Sequence, residues 1–270
     1  KDAIAKELVQ VIDLEKMYCE HASRSFNMNA IRNTKQLFAY DAMFGAGQNV
    51  IKKLLPDIKM LHCDYNPSFK GQAPEPIHRN LSEFFELIKK SGNISSGLAT
   101  DGDADRIGMY DGSGNFIDSH HIILLLINYL HKHKGLKGKV ITTFSCTNKV
   151  AKMCKLYGLE HIVTKIGFKY ICEYMSKPAE NVLLGGEESG GIAISGHIPE
   201  RDGIWMGLVI WEYMATAGKS LQQLIRGIYD EVGEFKVERN DLDVDEELKK
   251  QIINDCKNNR YKLFGKFNVV

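Results

Sequence analysis

LATDGDADR at residues 98–106 and VLLGGEESGG at residues 182–191 are the two stretches that decide the fold of this 270-residue chain. Each begins with apolar residues that predict a buried strand, and each continues directly into an acidic, glycine-rich loop. Helical patterns and further strand patterns alternate around both stretches, which predicts an α/β fold. Because the two loops follow their strands in the same way, we expect a structural repeat. In open α/β sheets, ligands bind where such strands end.

The remaining apolar patterns predict the other elements of two tandem α/β/α domains with mixed sheets. Strands are expected at 36–41, 60–65, 96–100, 107–110, 140–144, 161–164 and 181–184. Helices are expected at 4–20, 49–58, 81–90, 147–157, 171–176, 204–217 and 221–229. NPSFKGQAPEP (66–76) is a loop, because its prolines are excluded from helix interiors and central strands. The polar segment 234–260 predicts one more helix, followed by an extended exit over 266–270.

Composition excludes several functional classes. The 35 basic and 34 acidic residues give a formal charge of +1, which leaves no net field to attract nucleic acid or an anionic membrane. The longest apolar run, 122–127, is far shorter than the about 20 residues that span a bilayer. The six cysteines form no CxxC pair and no dense framework, so we expect reduced thiols and a cytoplasmic protein.

Three aspartates, Asp101, Asp103 and Asp105, are the strongest chemical signal. In an extended chain, alternate carboxylates lie ~6.6 Å apart on one face and repel by ~2.5 kcal/mol at an effective dielectric of about 20. The glycine and alanine between them allow the backbone to curl until the oxygens converge on one cation. Oxygen ligands suit Mg²⁺, and Arg106 is placed to oppose the charge of a bound phosphate.

An EF-hand and a solvated acidic turn are two other interpretations of this acidic loop. An EF-hand requires glycine at position six and an acidic residue at position twelve, where this chain has Arg106 and Gly112. Calcium sensing is therefore not predicted. A solvated acidic turn remains open, because Asp and Gly are also common turn residues.

The second loop offers a sugar-binding chemistry. Its paired glycines permit close approach of a ligand to the backbone, and a carboxylate and a hydroxyl suit adjacent sugar hydroxyls. A plain glycine-rich turn remains the alternative. KIGFKY (165–170) supplies lysines that suit a phosphate or a proton transfer, with ordinary surface lysines as the alternative. In GHIPERDGIW (196–205), Asp202 is either a site residue or the N-cap of the following helix.

The ordered motifs APEP, LATDGDADR, GFKY, GGEESGG and RDGIW together resemble the α-D-phosphohexomutase family, over roughly residues 30–235. The resemblance implies a four-domain protein of which this chain supplies the second and third domains. We expect a metal-binding domain over 1–134, a sugar-binding domain over 135–235, and a linker or tail over 236–270 toward a missing phosphate-binding domain.

The resemblance also implies roles for individual residues. Mg²⁺ would be held by Asp101, Asp103 and Asp105. The catalytic residues implied are Arg106, near the transferring phosphoryl group, and Lys169, at the reaction centre. The glycine-rich segment 185–191, which we call the sugar loop, supplies three of the implied substrate-binding residues: Gly186, Glu187 and Ser189. Lys165 and Arg201 are the other two.

The implied activity is that of a phosphoglucomutase or phosphomannomutase, an isomerase that moves phosphate within a hexose phosphate through a phosphoserine and a bisphosphate intermediate. No TASHNP-like nucleophile segment and no RPSGTEP-like phosphate loop occur in the sequence. We therefore expect the first and fourth domains to be missing partners and the chain alone to be inactive as a mutase.

Two alternatives to a mutase remain. One is a non-catalytic module that binds metal or sugar phosphate. The other is a metal-dependent phosphatase with an aspartate nucleophile, although the evenly spaced carboxylates followed by Arg106 suit a metal site better. Related enzymes acting on mannose or glucosamine phosphates often vary the residue at Glu188, so GEESGG favours glucose phosphates by analogy.

Overall fold

The computed structural model describes residues 2–240, 243–265 and 267–268. The chain forms two compact units, Lys1–Phe235 and Lys236–Val270. Both domains expected from the sequence motifs lie in the first unit. Of the extended exit predicted over 266–270, residues 266, 269 and 270 lie outside the described part of the chain.

The first sheet contains the strand that leads into the loop of Asp101, Asp103 and Asp105, which we call the aspartate loop. Its strands are β1 (Leu37–Asp41), β2 (Lys59–Leu61), β3 (Ile94–Thr100), β4 (Ile107–Asp111) and β5 (Phe116–Ile117). Their order in the sheet is β2-β1-β3-β4-β5. β1 runs parallel to β2 and β3, whereas β4 runs antiparallel to β3 and β5. The aspartate loop therefore follows a central strand.

The second sheet repeats this arrangement. Its strands are β6 (Lys139–Thr143), β7 (His161–Thr164), β8 (Val182–Gly186) and β9 (Ile192–Ile194), in the order β7-β6-β8-β9. β6 is parallel to β7 and β8, and β9 is antiparallel to β8. The predicted mixed sheets and structural repeat are thus confirmed: β3 and β8 occupy equivalent places, and each ends in an acidic loop. A single antiparallel bridge between Arg106 and Gly191 connects the two loops.

Helices cover the sheets. In the first unit they are α1 (Asp2–Ala5), α2 (Leu14–Ser25), α3 (Met28–Asn33), α4 (Gln48–Leu54), α5 (Ser82–Ser91), α6 (Ser119–Asn128), α7 (Lys149–Tyr157), α8 (Phe168–Met175), α9 (Gly203–Ala217) and α10 (Leu221–Val232). A π-helical turn, Tyr129–His133, follows α6. Among the described residues, no helix is both long and apolar enough to cross a bilayer.

The single helix predicted over 4–20 is wrong, because the chain is non-helical between α1 and α2. Val9, Val11 and Ile12 are β-branched, which disfavours a helix, and Val11 is 77% exposed, so no core packing compensates. Asp13 then starts α2 by accepting a hydrogen bond from the backbone N–H of Lys16 at 2.9 Å. The sequence prediction also missed β9 and α3.

Helix α9 joins the two sheets. It contacts β3 and β4 of the first sheet and β9 of the second, and its residues are buried from Gly203 to Met214. Trp211 is fully buried and stacks on Phe38 of β1, with ring centroids 4.7 Å apart. The N-terminus of α9 is thereby held firmly beside both acidic loops.

The second unit is small. It contains α11 (Glu246–Lys257) and a two-stranded antiparallel hairpin, β10 (Leu263–Phe264) with β11 (Phe267–Asn268). Asp245 caps α11 by accepting from the backbone N–H of Leu248 at 2.8 Å. The helix expected within 234–260 is confirmed.

Candidate functional site

The aspartate loop curls as its spacers predicted. Carboxylate oxygens of Asp101, Asp103 and Asp105 all lie within 4.8 Å of one another. Ala104 makes this possible by adopting a left-handed conformation, with φ of 62°. Gly45, in the loop after β1, packs so closely that a Cβ atom there would lie 2.5 Å from the carbonyl oxygen of Asp101. The loop after β1 therefore shapes the aspartate loop.

The electrostatics of this loop favour a cation. Burial, followed by the charges of Asp105 and Asp103, raises the pKa of Asp101 to about 7, although the backbone N–H of Arg106 donates to it at 3.0 Å. Burial likewise raises the pKa of Asp105. Within the described part of the chain, Asp105 Oδ1 is buried without a hydrogen-bond donor. A buried carboxylate oxygen without a donor, beside two further carboxylates, is the arrangement that a divalent cation relieves, so these residues fit Mg²⁺.

Two arginines border the aspartates. Arg106 Nε lies 3.6 Å from Asp101 Oδ2 and 3.7 Å from Asp105 Oδ1, distances that are long for hydrogen bonds. Arg201 Nη2 makes a closer ion pair with Asp105 Oδ2, at 2.7 Å. Both guanidinium groups also line the adjoining cleft, so they are placed between the carboxylates and any anion bound there.

The loop after β8 uses its carboxylates differently. Glu187 Oε1 accepts from the backbone N–H of Gly167 at 2.9 Å, while burial raises the pKa of Glu187. Glu188 accepts from the hydroxyls of Thr143, at 2.9 Å, and Ser145. Burial raises the pKa of Glu188, but the hydrogen bonds from Ser145 and Thr143 outweigh it and lower the pKa overall. The carboxylate of Glu188 is therefore hydrogen-bonded to residues at the end of β6.

A cleft of about 950 Å³ lies between the sugar loop and α8. It is lined by Arg106, Ile166, Gly167, Phe168, Lys169, Cys172, Glu173, Ser176, Lys177, Glu187, Glu188, Ser189, Glu200 and Arg201. The structure thus brings together five of the predicted catalytic and substrate-binding residues: Arg106, Lys169, Glu187, Ser189 and Arg201. Such a volume accommodates a small-molecule ligand.

Two predicted substrate-binding residues lie outside this cleft lining. Gly186 is buried within β8, where a Cβ atom would lie 2.9 Å from Ile123 Cδ1. Lys165 is exposed, after the end of β7. Lys169 is the lysine of this segment that reaches the cleft, and its Nζ lies 5.0 Å from the centroid of the Tyr170 ring.

The sequence prediction missed the residues that contact and position the predicted site residues. Phe168 lies under the guanidinium of Arg201, 5.4 Å from its ring centroid. Thr143 and Ser145 anchor Glu188, and hydroxyl residues at the end of β6 and shortly after it were a signal available in the sequence. Asp202 caps α9 by accepting from the backbone N–H of Trp205 at 2.8 Å, which is the capping alternative considered for it.

Comparison with known proteins identifies the family. The model for phosphoglucomutase/phosphomannomutase α/β/α domain II matches residues 16–114, and the model for domain III matches residues 118–232. The chain is 30% identical to a Thermococcus kodakarensis phosphoglucomutase/phosphomannomutase, over 79% of this chain and 47% of the relative. It is 38% identical to a Lactobacillus johnsonii phosphoglucosamine mutase, over 62% of this chain and 39% of that relative.

A solved structure shares the same fold. A Thermus thermophilus protein assigned as a phosphomannomutase superposes with a TM-score of 0.77 and 31% identity, covering 82% of this chain and 52% of that one. The chain thus spans about half the length of such relatives. On these matches, it belongs to the phosphoglucomutase/phosphomannomutase family of phosphohexomutases and contains that family's second and third α/β/α domains.

Proposed function

We propose that this chain provides the Mg²⁺-binding and sugar-binding domains of a cytoplasmic phosphohexomutase that interconverts hexose 1-phosphate and hexose 6-phosphate. The observation that carries the proposal is the convergence of three carboxylates within 4.8 Å beside a cleft that contains Arg106, Lys169 and Arg201. The names of the relatives, phosphoglucomutase/phosphomannomutase and phosphoglucosamine mutase, support hexose phosphates as the substrate class.

In this proposal, Asp101, Asp103 and Asp105 hold Mg²⁺ through their carboxylate oxygens. Bound Mg²⁺ would offset negative charge on a phosphoryl group during in-line transfer. Arg106 and Arg201, at the border between the aspartates and the cleft, bind and orient that phosphoryl group. Guanidinium groups suit this role because they bind phosphate oxygens in bidentate fashion.

In this proposal, the loop after β8 binds the hexose within the same cleft. Glu187 and Ser189 are placed to hold sugar hydroxyls, because the second oxygen of Glu187 is not needed for its bond from Gly167. Lys169 is assigned to proton transfer or phosphate contact at the reaction centre. Gly186 contributes by shaping the loop from within β8, and Lys165 is a secondary candidate for phosphate contact.

In this proposal, the complete reaction uses a phosphoserine that lies outside the two matched domains. The serine donates its phosphate to a sugar hydroxyl and yields a bisphosphate, and the other phosphate of the bisphosphate then returns to the serine. We assign residues 1–134 to metal binding, 135–235 to sugar binding and 236–270 to a linker or tail toward a phosphate-binding domain. On this assignment, the chain alone is inactive as a mutase.

Isothermal titration with Mg²⁺ tests the proposal, with Asp103→Ala compared with the unchanged chain. Asp103 is exposed, so its removal leaves the core intact, but it deletes one of the three oxygens. We expect weak binding by the unchanged chain, since no phosphate completes the site, and no detectable binding by the variant. Equal heats for both proteins would exclude the metal assignment.

A further inference from the structure

Two residues at the N-terminus of α9, Arg201 and Gly203, contact the aspartate loop. Arg201 Nη2 pairs with Asp105 Oδ2 at 2.7 Å, and the backbone N–H of Gly203 donates to the carbonyl oxygen of Ala104 at 2.9 Å. A Cβ atom at Gly203 would lie 2.4 Å from the carbonyl oxygen of Arg106. Residues on both sides of Asp202 therefore touch the aspartate loop.

Asp202 is held by three donors. Its carboxylate accepts from the Tyr18 hydroxyl at 2.8 and 3.0 Å, from His197 Nε2 at 2.9 Å and from the backbone N–H of Trp205 at 2.8 Å. Its own backbone N–H donates to the carbonyl oxygen of Ile192 in β9 at 3.2 Å. These donors belong to α2, to the loop after β9 and to the first turn of α9, so the position of Asp202 is determined from three directions.

His197 is itself fixed in place. Its side chain is 3% exposed and stacks on Trp205, with ring centroids 3.7 Å apart and planes 7° apart. Because His197 Nε2 donates to Asp202, its Nδ1 in the neutral ring is an acceptor. His21 Nε2 lies 3.2 Å from that Nδ1 and serves as its donor. We call Tyr18, His21, His197 and Asp202 the Asp202 cluster.

We propose that Asp202 is a positioning residue for the aspartate loop, acting through Arg201 and Gly203, so that the Asp202 cluster sets the affinity of the loop for Mg²⁺. This inference rests on the proposed function and extends it. The carboxylate of Asp202 fixes the backbone from which Arg201 extends to Asp105, and the adjacent Gly203 fixes Ala104 at the bend of the loop. Residues that orient metal ligands commonly change metal affinity about 10- to 100-fold when they are altered.

Asp202→Asn separates the cluster from the helix cap. Asparagine is as good an N-cap as aspartate, so its amide oxygen still accepts from Trp205. Its amide nitrogen replaces the oxygen that accepts from His197 Nε2, and because that nitrogen is a donor, this hydrogen bond is lost, while the amide oxygen still accepts from the Tyr18 hydroxyl. Tyr18→Phe removes a single hydroxyl in α2, outside the aspartate loop. We expect the dissociation constant for Mg²⁺ to rise about tenfold in Asp202→Asn, at the lower end of that range, and to rise less in Tyr18→Phe.

Asp118→Asn is a matched control. Asp118 caps α6 and, like Asp202, accepts from a backbone N–H and a histidine ring: from His121 N at 3.1 Å and His121 Nδ1 at 2.8 Å. None of its described hydrogen bonds reaches the aspartate loop. We expect this variant to lose a comparable amount of thermal stability while binding Mg²⁺ as the unchanged chain does.

Hydrogen–deuterium exchange of the Gly203 amide, measured without Mg²⁺, is a second readout. Faster exchange is expected in Asp202→Asn and Tyr18→Phe, because the Gly203–Ala104 bond loosens, and unchanged exchange in Asp118→Asn. Unchanged affinity and exchange in Asp202→Asn, or an equal loss of affinity in Asp118→Asn, would overturn the inference. Failure of the unchanged chain to bind Mg²⁺ would instead remove the metal assignment, while Gly203 exchange would still decide whether Asp202 positions the loop.

Discussion

The loops after β3 and β8 occupy equivalent places in the two sheets, yet they differ in how completely the protein supplies hydrogen-bond donors to their buried carboxylates. Around β8, the protein supplies the donors: Glu188 accepts from Thr143 and Ser145, and Glu187 accepts from Gly167. Around β3, Asp105 Oδ1 is left without a hydrogen-bond donor among the described residues. Acidity alone therefore does not indicate a metal site; the supply of nearby donors decides whether a cation is needed.

Removal of a charge from the aspartate loop should have the largest effect on Mg²⁺ binding and on stability. Asp101→Asn keeps an oxygen that accepts from the Arg106 N–H but removes a buried charge beside Asp103 and Asp105. We expect Mg²⁺ binding to be abolished and the metal-free chain to be more stable by about 1 kcal/mol, since ionised Asp101 is disfavoured by burial. Titration calorimetry and chemical denaturation measure the two effects. Lower metal-free stability of the variant would contradict the proposed charge repulsion.

The matching change in the sugar loop should lower the stability of the chain, whereas Asp101→Asn should raise it. Thr143 and Ser145 both donate to Glu188 Oε2, and Glu188→Gln keeps an oxygen for them but removes the charge that strengthens these hydrogen bonds. We expect the free energy of unfolding to fall by about 1–2 kcal/mol with Mg²⁺ affinity unchanged. Denaturation in urea and Mg²⁺ titration of the same sample provide the measurement. If Glu188→Gln were as stable as the unchanged chain, the hydrogen bonds from Thr143 and Ser145 would not stabilise the Glu188 charge, and the proposed difference between the two loops would be excluded.

A smaller effect is expected beside the aspartate loop, at the end of β1. His62 Nδ1 lies 3.0 Å from Asp41 Oδ1, and this hydrogen bond, against the opposing effect of burial, raises the pKa of His62. Because the pKa is higher in the folded state, the stabilisation is complete below the unfolded value of about 6.5 and disappears as pH rises through the folded value. His62→Asn should therefore cost about 1 kcal/mol near pH 5.5 and less near pH 9.

Denaturation of both proteins at the two pH values measures this difference. Thr143, at the end of β6, is the uncharged counterpart of Asp41, so Thr143→Val should show a loss of stability that does not follow the titration of a histidine. A cost for His62→Asn that is the same at both pH values would exclude the protonated His62–Asp41 pair.

Much of the fold was predictable because its signals are local. Runs of β-branched residues such as Val140 to Thr143 identify strands without reference to the rest of the chain. The repeated pattern of a strand followed by an acidic loop predicted two similar sheets. Predictions failed where tertiary packing decides. The helical pattern over 4–20 did not become one helix, since Val11 finds no core to pack against, and β9 was too short for its period to be recognised.

The candidate site also combines features that were predictable from the local sequence with features that depend on tertiary packing. The sequence by itself determined which groups are available, because the spacing of Asp101, Asp103 and Asp105 lets one short bend bring their carboxylates together. Only the tertiary structure decided which carboxylates are already satisfied and which arginine meets Asp105. Those partners are distant along the chain: Glu188 is bound from the end of β6, and Arg201 is brought to Asp105 by the packing of α9 against both sheets. Hydrogen bonds and ion pairs depend on distances that only the packed chain establishes.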